Sequence, residues 1–220
     1  MGNHNHGLRL AGDTPPFPKK IGKRDSHQPR KLLLKIGIFV FDKMQILDFA
    51  GPYDILATVP EFQVFTVAKS REPVCAHHGL TLIPTYDFEH MPPLDILVIP
   101  GGKGTDRERE DQRVIAWIKA QAQRVQYVLT ICTGAFLLAE TGLLNGKKAT
   151  TYHDDIDEFK SRYPSITILD RARYVDNGRM VISAGVSAGM DGALYLVAKI
   201  RGKATAQKTA HHLEYRMEPS

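Results

Sequence analysis

The chain has 220 residues, 43% of them hydrophobic and 24% charged, with a formal net charge of +5. That length allows one domain with a full core, and no stretch approaches the roughly 20 apolar residues of a membrane span. The two cysteines, Cys75 and Cys132, are too few for a disulfide framework and point to a reducing compartment, the cytoplasm.

The positive charge sits in a tail. Residues 1–31 carry seven basic and two acidic residues, whereas the remainder carries 22 of each. A folded nucleic-acid surface needs its basic residues gathered on structure, so neither nucleic acid nor membrane is an expected partner. With three histidines, four prolines, four glycines and no apolar periodicity, residues 1–31 read as a disordered basic tail. Residues 32–220 read as a single domain.

Within that domain a near-continuous apolar run over 31–41 suits a strand covered on both faces. A helix is expected over 48–57, with Pro52 near its start, and a strand over 63–68. A short strand excursion over 73–84 turns at His78-Gly79. Another buried strand, 94–100, ends in Gly101-Gly102-Lys103-Gly104. An amphipathic helix follows over 111–123. Then Tyr127-Val-Leu-Thr-Ile131 runs as a strand into Cys132 and a helix over 133–140. A short strand at 149–152, a helix at 156–163, a hairpin over 173–183 around Asn177-Gly178, and helices at 186–201 and 204–215 complete the chain. Strands alternating with helices imply a mostly parallel sheet sandwiched by helices.

The join at Cys132 carries the chemistry. A strand–Cys–Thr–Gly–helix turn lifts one side chain out of the sheet, as in a nucleophile elbow. Such a cysteine lies where open α/β sheets place their ligands, and the following helix N-terminus favours a thiolate. Gly101-Gly102-Lys103-Gly104 lacks the phosphate-loop spacing; a tight turn that offers backbone N–H groups to an oxyanion is the simpler reading. Gly102 and Thr133 are the expected donors, with Gly101 beside them. Asp48, read alone, is a helix cap, but it follows the first strand and so reaches the sheet end that carries Cys132. A carboxyl beside a thiolate resists ionisation and is then able to deliver a proton.

Five segments carry a family resemblance: Gln45-Ile-Leu-Asp48-Phe-Ala-Gly-Pro-Tyr-Asp-Ile-Leu-Ala57, Asp95-Ile-Leu-Val-Ile-Pro-Gly-Gly-Lys-Gly104, Thr130-Ile-Cys-Thr-Gly134, Thr141-Gly-Leu-Leu144 and Ala184-Gly-Val-Ser-Ala-Gly-Met-Asp191. Together they resemble the ThiJ/PfpI superfamily and, within it, the isonitrile hydratase branch. The resemblance implies a flavodoxin-like three-layer sandwich related to class I glutamine amidotransferases, and a homodimer. It also implies a lyase without metal or cofactor, in which the Cys132 thiolate attacks the isonitrile carbon and Asp48 is the acidic partner. Protonation and water addition then give an N-substituted formamide. Where the superfamily often has a histidine beside the cysteine, this chain has Tyr152, with His153 one residue later; both are accessory candidates.

Two other readings remain open. One is a sensor or redox-responsive domain like those of AraC-type regulators, although the sequence ends at Ser220 without room for a helix-turn-helix region. The other is a glyoxalase-like activity on small carbonyl compounds. His77-His78 reads as two strand residues facing opposite ways, His212-Leu-Glu214 as surface, and Cys75 as structural.

Overall fold

A computed structural model describes residues 33–216. The proposed tail over 1–31 lies outside the described residues, as does the start of the first apolar run.

The strands in chain order are β1 (Leu34–Phe39), β2 (Phe62–Ala68), β3 (Val74–Cys75), β4 (Thr81–Leu82), β5 (Tyr86–Asp87), β6 (Ile96–Ile99), β7 (Tyr127–Ile131), β8 (Lys148–Ala149), β9 (Thr167–Ile168), β10 (Tyr174–Asp176) and β11 (Met180–Ser183). The helices are α1 (Ile46–Ala57), α2 (Thr105–Glu110), α3 (Gln112–Arg124), α4 (Gly134–Glu140), α5 (Ile156–Arg162), α6 (Ala188–Arg201) and α7 (Lys203–His212). Seven strands form the central sheet in the order β10-β11-β7-β6-β1-β2-β5. Every pairing in it is parallel except β10 with β11. Helices α1, α6 and α7 pack together on one face, and α2, α3 and α4 on the other.

The apolar runs explain this layering. All four residues of β6 are buried, as are the last four of β1 and of β7. A strand covered on both faces has no solvent side on which to alternate. On α3 the buried Val114, Ile115, Trp117, Ile118 and Ala122 make the stripe that meets the sheet, and Asp111 caps the helix by accepting a hydrogen bond from the Arg113 N–H.

The chain leaves β1 toward β2 on one side, whereas β6 leads to β7 on the other. The sheet therefore has its topological switch point between β1 and β6, where ligands of open α/β sheets bind. The segments leaving β1, β6 and β7 carry Asp48, Gly101-Gly102 and Cys132 respectively.

Several local expectations needed revision. Helix α1 begins at Ile46, so Asp48 sits in its first turn and Gln45 holds the cap position. Helix α2 was not anticipated. His77 and His78 lie in a 3-10 turn with ring centroids 3.9 Å apart, not on opposite faces of a strand. The strand at 149–152 is only Lys148–Ala149. The two-residue strands β5 and β9 carried no periodic signal. Among the described residues, no helix is long and apolar enough to cross a membrane.

Candidate active site

The elbow is built from the sheet outward. Ile131 closes β7, Cys132 turns the chain at φ +57°, and α4 starts two residues later. A non-glycine residue in the left-handed region costs about 1–2 kcal/mol and persists only where its surroundings fix it. Here the Cys132 N–H donates to the Ala184 carbonyl at 3.1 Å, and the Thr151 hydroxyl donates to the Cys132 carbonyl at 2.9 Å. Gly134 completes the turn: a Cβ there would overlap the Ile99 carbonyl oxygen. Cys132 is 5% exposed, at the wall of a cavity.

Asp48 is fully buried and accepts a hydrogen bond from the Gly101 N–H at 3.1 Å through Oδ2. Its Oδ1 is also buried and has no partner at ordinary hydrogen-bond geometry among the described residues. The Cys132 thiol and the Val186 N–H lie close enough to act on the carboxyl. Burial pushes the Asp48 pKa up from 3.8 to about 7, against the lowering by Gly101, Cys132 and Val186. Val186, on the far side, is itself strained at φ +51°.

Cys132 does not follow the expectation of a helix-lowered thiol. Burial raises its pKa first, the Asp48 charge raises it further, and the Thr133 N–H offsets only part of this. Two acids, both held above their ordinary values and touching each other, titrate as a pair. The pair therefore gives up its first proton near pH 7 and above that keeps one proton between oxygen and sulfur.

The glycine turn also departs from expectation. The Gly101 N–H is committed to Asp48, and the Gly102 N–H donates to Thr133 Oγ1 at 2.8 Å. The pair of Gly102 and Thr133 amides expected for an oxyanion is therefore not presented jointly. The Thr133 N–H faces the sulfur, and its hydroxyl contacts Thr105 Oγ1 at 2.8 Å.

The cavity measures ≈ 410 Å³, within the range of small-molecule sites. Tyr152 lines it, its ring packed over Gly185. His153 does not; its exposed imidazole pairs with Asp154 at 3.3 Å. Sequence reasoning missed His77 and Gln45, joined across one wall at 3.4 Å, and the acidic rim of Asp106, Asp154, Asp155 and Glu158. Arg109 spans part of that rim, pairing with Asp106 at 3.1 Å and with Glu158 at 2.8 Å. Dense charge on short helices reads as solvated surface, so no sequence signal marked the rim. His212 and Glu214 are exposed, as expected.

Comparison with known proteins places this geometry. A family model described as the DJ-1/PfpI family matches residues 34–199. The chain is 40% identical over 191 residues to an isonitrile hydratase of Pseudomonas putida, covering 86% of this chain and 81% of that one. It is 24% identical over 174 residues to the HTH-type transcriptional regulator GbdR of Pseudomonas aeruginosa, covering 76% of this chain but 47% of the regulator. The crystal structure of a ThiJ/PfpI family protein from Pseudomonas syringae superposes with a TM-score of 0.76 at 28% identity, over 92% of this chain and 84% of that one. With a mostly parallel sheet, an elbow cysteine beside its switch point and a family match spanning nearly all the described residues, the chain belongs to the DJ-1/PfpI family.

Proposed function

We propose that the protein hydrates isonitriles to N-substituted formamides, with Cys132 as nucleophile and Asp48 as acid and base. The observation that carries this reading is the buried Asp48 carboxyl held against the elbow thiol. That pair supplies a sulfur nucleophile and a proton at one place, which addition to a carbon–nitrogen multiple bond needs. The 40% identity to an isonitrile hydratase supports the substrate class.

In the proposed sequence, the Asp48 proton passes to the terminal isonitrile carbon as the thiolate adds its electron pair to the same carbon. This gives a thioimidate on Cys132. Water then adds to that carbon, and its proton reaches the substrate nitrogen by way of the Asp48 carboxylate. In the last step the carbon–sulfur bond breaks, its electron pair returns to sulfur, and the remaining hydroxyl proton goes to Asp48. The products are the formamide and the starting one-proton pair. The Thr133 N–H is the backbone donor that steadies the sulfur. Tyr152 stands where a histidine base would strengthen an amidase reading, which favours addition over hydrolysis. The homodimer and the cytoplasmic setting belong to the same reading.

The test is formamide formation from a simple neutral isonitrile, followed by proton NMR. Wild type is expected to turn it over and Cys132→Ala is not. No turnover by wild type rejects the reading. Consumption of methylglyoxal in place of the isonitrile would favour the glyoxalase-like alternative.

A further inference from the structure

Thr105 opens α2, is 3% exposed, and lines the same cavity as Cys132. Its hydroxyl meets Thr133 Oγ1 at 2.8 Å. Thr133 Oγ1 also receives the Gly102 N–H at 2.8 Å and lies 3.3 Å from the Gly102 carbonyl, to which it can donate.

A count of protons and lone pairs constrains this chain. A threonine hydroxyl has one proton and two acceptor sites. When Thr133 donates to the Gly102 carbonyl, one of its acceptor sites holds the Gly102 N–H and the other takes the Thr105 proton. Thr133 is then saturated. Thr105 has spent its proton and keeps both acceptor sites for the cavity. Rotating the hydroxyls the other way, so that Thr133 donates to Thr105, frees the Thr105 proton to point into the cavity. The two states differ only in hydrogen positions.

The heavy atoms beneath this pair are fixed. The Gly104 N–H donates to the Lys43 carbonyl at 3.2 Å, and a Cβ at Gly104 would overlap the Asp42 carbonyl oxygen. One turn on, the fully buried Glu108 carboxylate is held by Lys69 at 2.9 Å and by Arg107 at 2.7 Å. A buried carboxylate without cations would be costly, so Arg107 neutralises Glu108 within α2 and Lys69 ties it to the end of β2. They hold the Thr105 oxygen at one place on the cavity wall.

We infer that Thr105 is a water-positioning residue for the hydration step, a role that rests on the hydratase reading. Thr105 accepts a hydrogen bond from one O–H of the attacking water while the other proton goes to the Asp48 carboxylate and the oxygen bonds to the thioimidate carbon. The O–H held by Thr105 stays on oxygen until the carbon–sulfur bond breaks, and no electron or proton passes through Thr105. Because it serves the second step only, its loss leaves thioimidate formation intact and stalls its hydrolysis.

The experiment compares wild type, Thr105→Val and Thr105→Ser with a neutral isonitrile, measuring steady-state turnover and the intact protein mass on quenching. Thr105→Val is expected to lower kcat about tenfold, the size of one lost hydrogen bond to the attacking water. It should also accumulate protein heavier by one isonitrile at Cys132. Thr105→Ser, which keeps the hydroxyl, is expected to stay within about threefold of wild type with no accumulated adduct. If Thr105→Val does not fold, Thr105→Ala removes the same hydroxyl without adding bulk and is read in the same way. Undiminished kcat in the hydroxyl-free variant, or a lowered kcat without adduct, overturns the inference while wild-type turnover leaves the hydratase reading standing. Wild type without turnover is the separate failure of that reading.

Discussion

At three turns away from the cavity, positive φ falls on glycine: Gly146 at +72°, Gly178 at +79° and Gly202 at +88°, each with open space where a Cβ would point. Around Asp48 the same backbone region is taken by Cys132 at +57° and Val186 at +51°. Glycine relieves the peripheral turns of steric cost, whereas a β-branched residue such as Val186 gains nothing from that conformation. The glycines near the site serve another purpose. Gly101, Gly104 and Gly134 are small because backbone presses on them. Strain on side-chain-bearing residues and crowding on glycines thus meet at one end of the sheet, and there a buried carboxyl touches a buried thiol. Lys43 at +59°, His78 at +68° and Glu214 at +51° also have positive φ, in the turn after β1, the turn between β3 and β4, and past the end of α7.

The contrast is sharpened first by Cys132→Ala. Turnover should fall by on the order of 10³-fold or more, as for other covalent nucleophiles. Its thermal midpoint should stay near wild type, because alanine inherits the same backbone strain. Next, Asp48→Asn keeps the shape of the side chain but removes its proton chemistry, and should lower kcat/KM by roughly 10²–10⁴-fold.

The same variant changes how stability depends on pH. The unfolded chain loses the Asp48 proton near the ordinary 3.8, and the folded protein keeps it to about 7. Between those values folding takes up a proton, so this group lowers stability as pH rises and its effect levels off above about 7. At about 1.4 kcal/mol per pH unit the span is up to roughly 4 kcal/mol. Thermal melts from pH 4 to 8 should show this slope in wild type, and Asp48→Asn should lack that share of it.

Glycine substitutions draw the contrast in stability alone. Gly134→Ala drives a methyl into the Ile99 carbonyl and should cost about 3 kcal/mol or more, the upper range for overpacking. Gly178→Ala meets nothing within 4 Å and should cost about 1 kcal/mol, from its positive φ alone. Denaturant midpoints of the two variants would settle the difference; equal costs would remove the distinction between crowded and open glycines.

Much of the fold was legible because buried parallel strands are continuous apolar runs. Tyr127–Ile131 was read with the bounds it has, and the Asn177-Gly178 hairpin was read from its turn. The mostly parallel sandwich followed from strands alternating with helices. The cysteine elbow was legible too, since strand, cysteine and glycine are contiguous. Helix α2 was not: Thr105–Glu110 has no apolar stripe, and its inward residue is the ion-paired Glu108. The His77 ring lines the cavity because a 3-10 turn replaces the strand that was expected. The state of the thiol was misread because helix polarity is local and visible in sequence, whereas desolvation and the Asp48 charge arise only when distant segments meet.

The shared proton of Cys132 and Asp48 is the central claim, and the pH dependence of kcat/KM for a neutral isonitrile tests it most directly. The reactive form holds one proton on the pair, so wild type should gain activity as pH rises through about 7, the value to which burial pushes Asp48, and then hold a plateau. In Asp48→Asn the residual rate should lack that rising limb. The same limb, with the same midpoint, in both proteins would contradict the account.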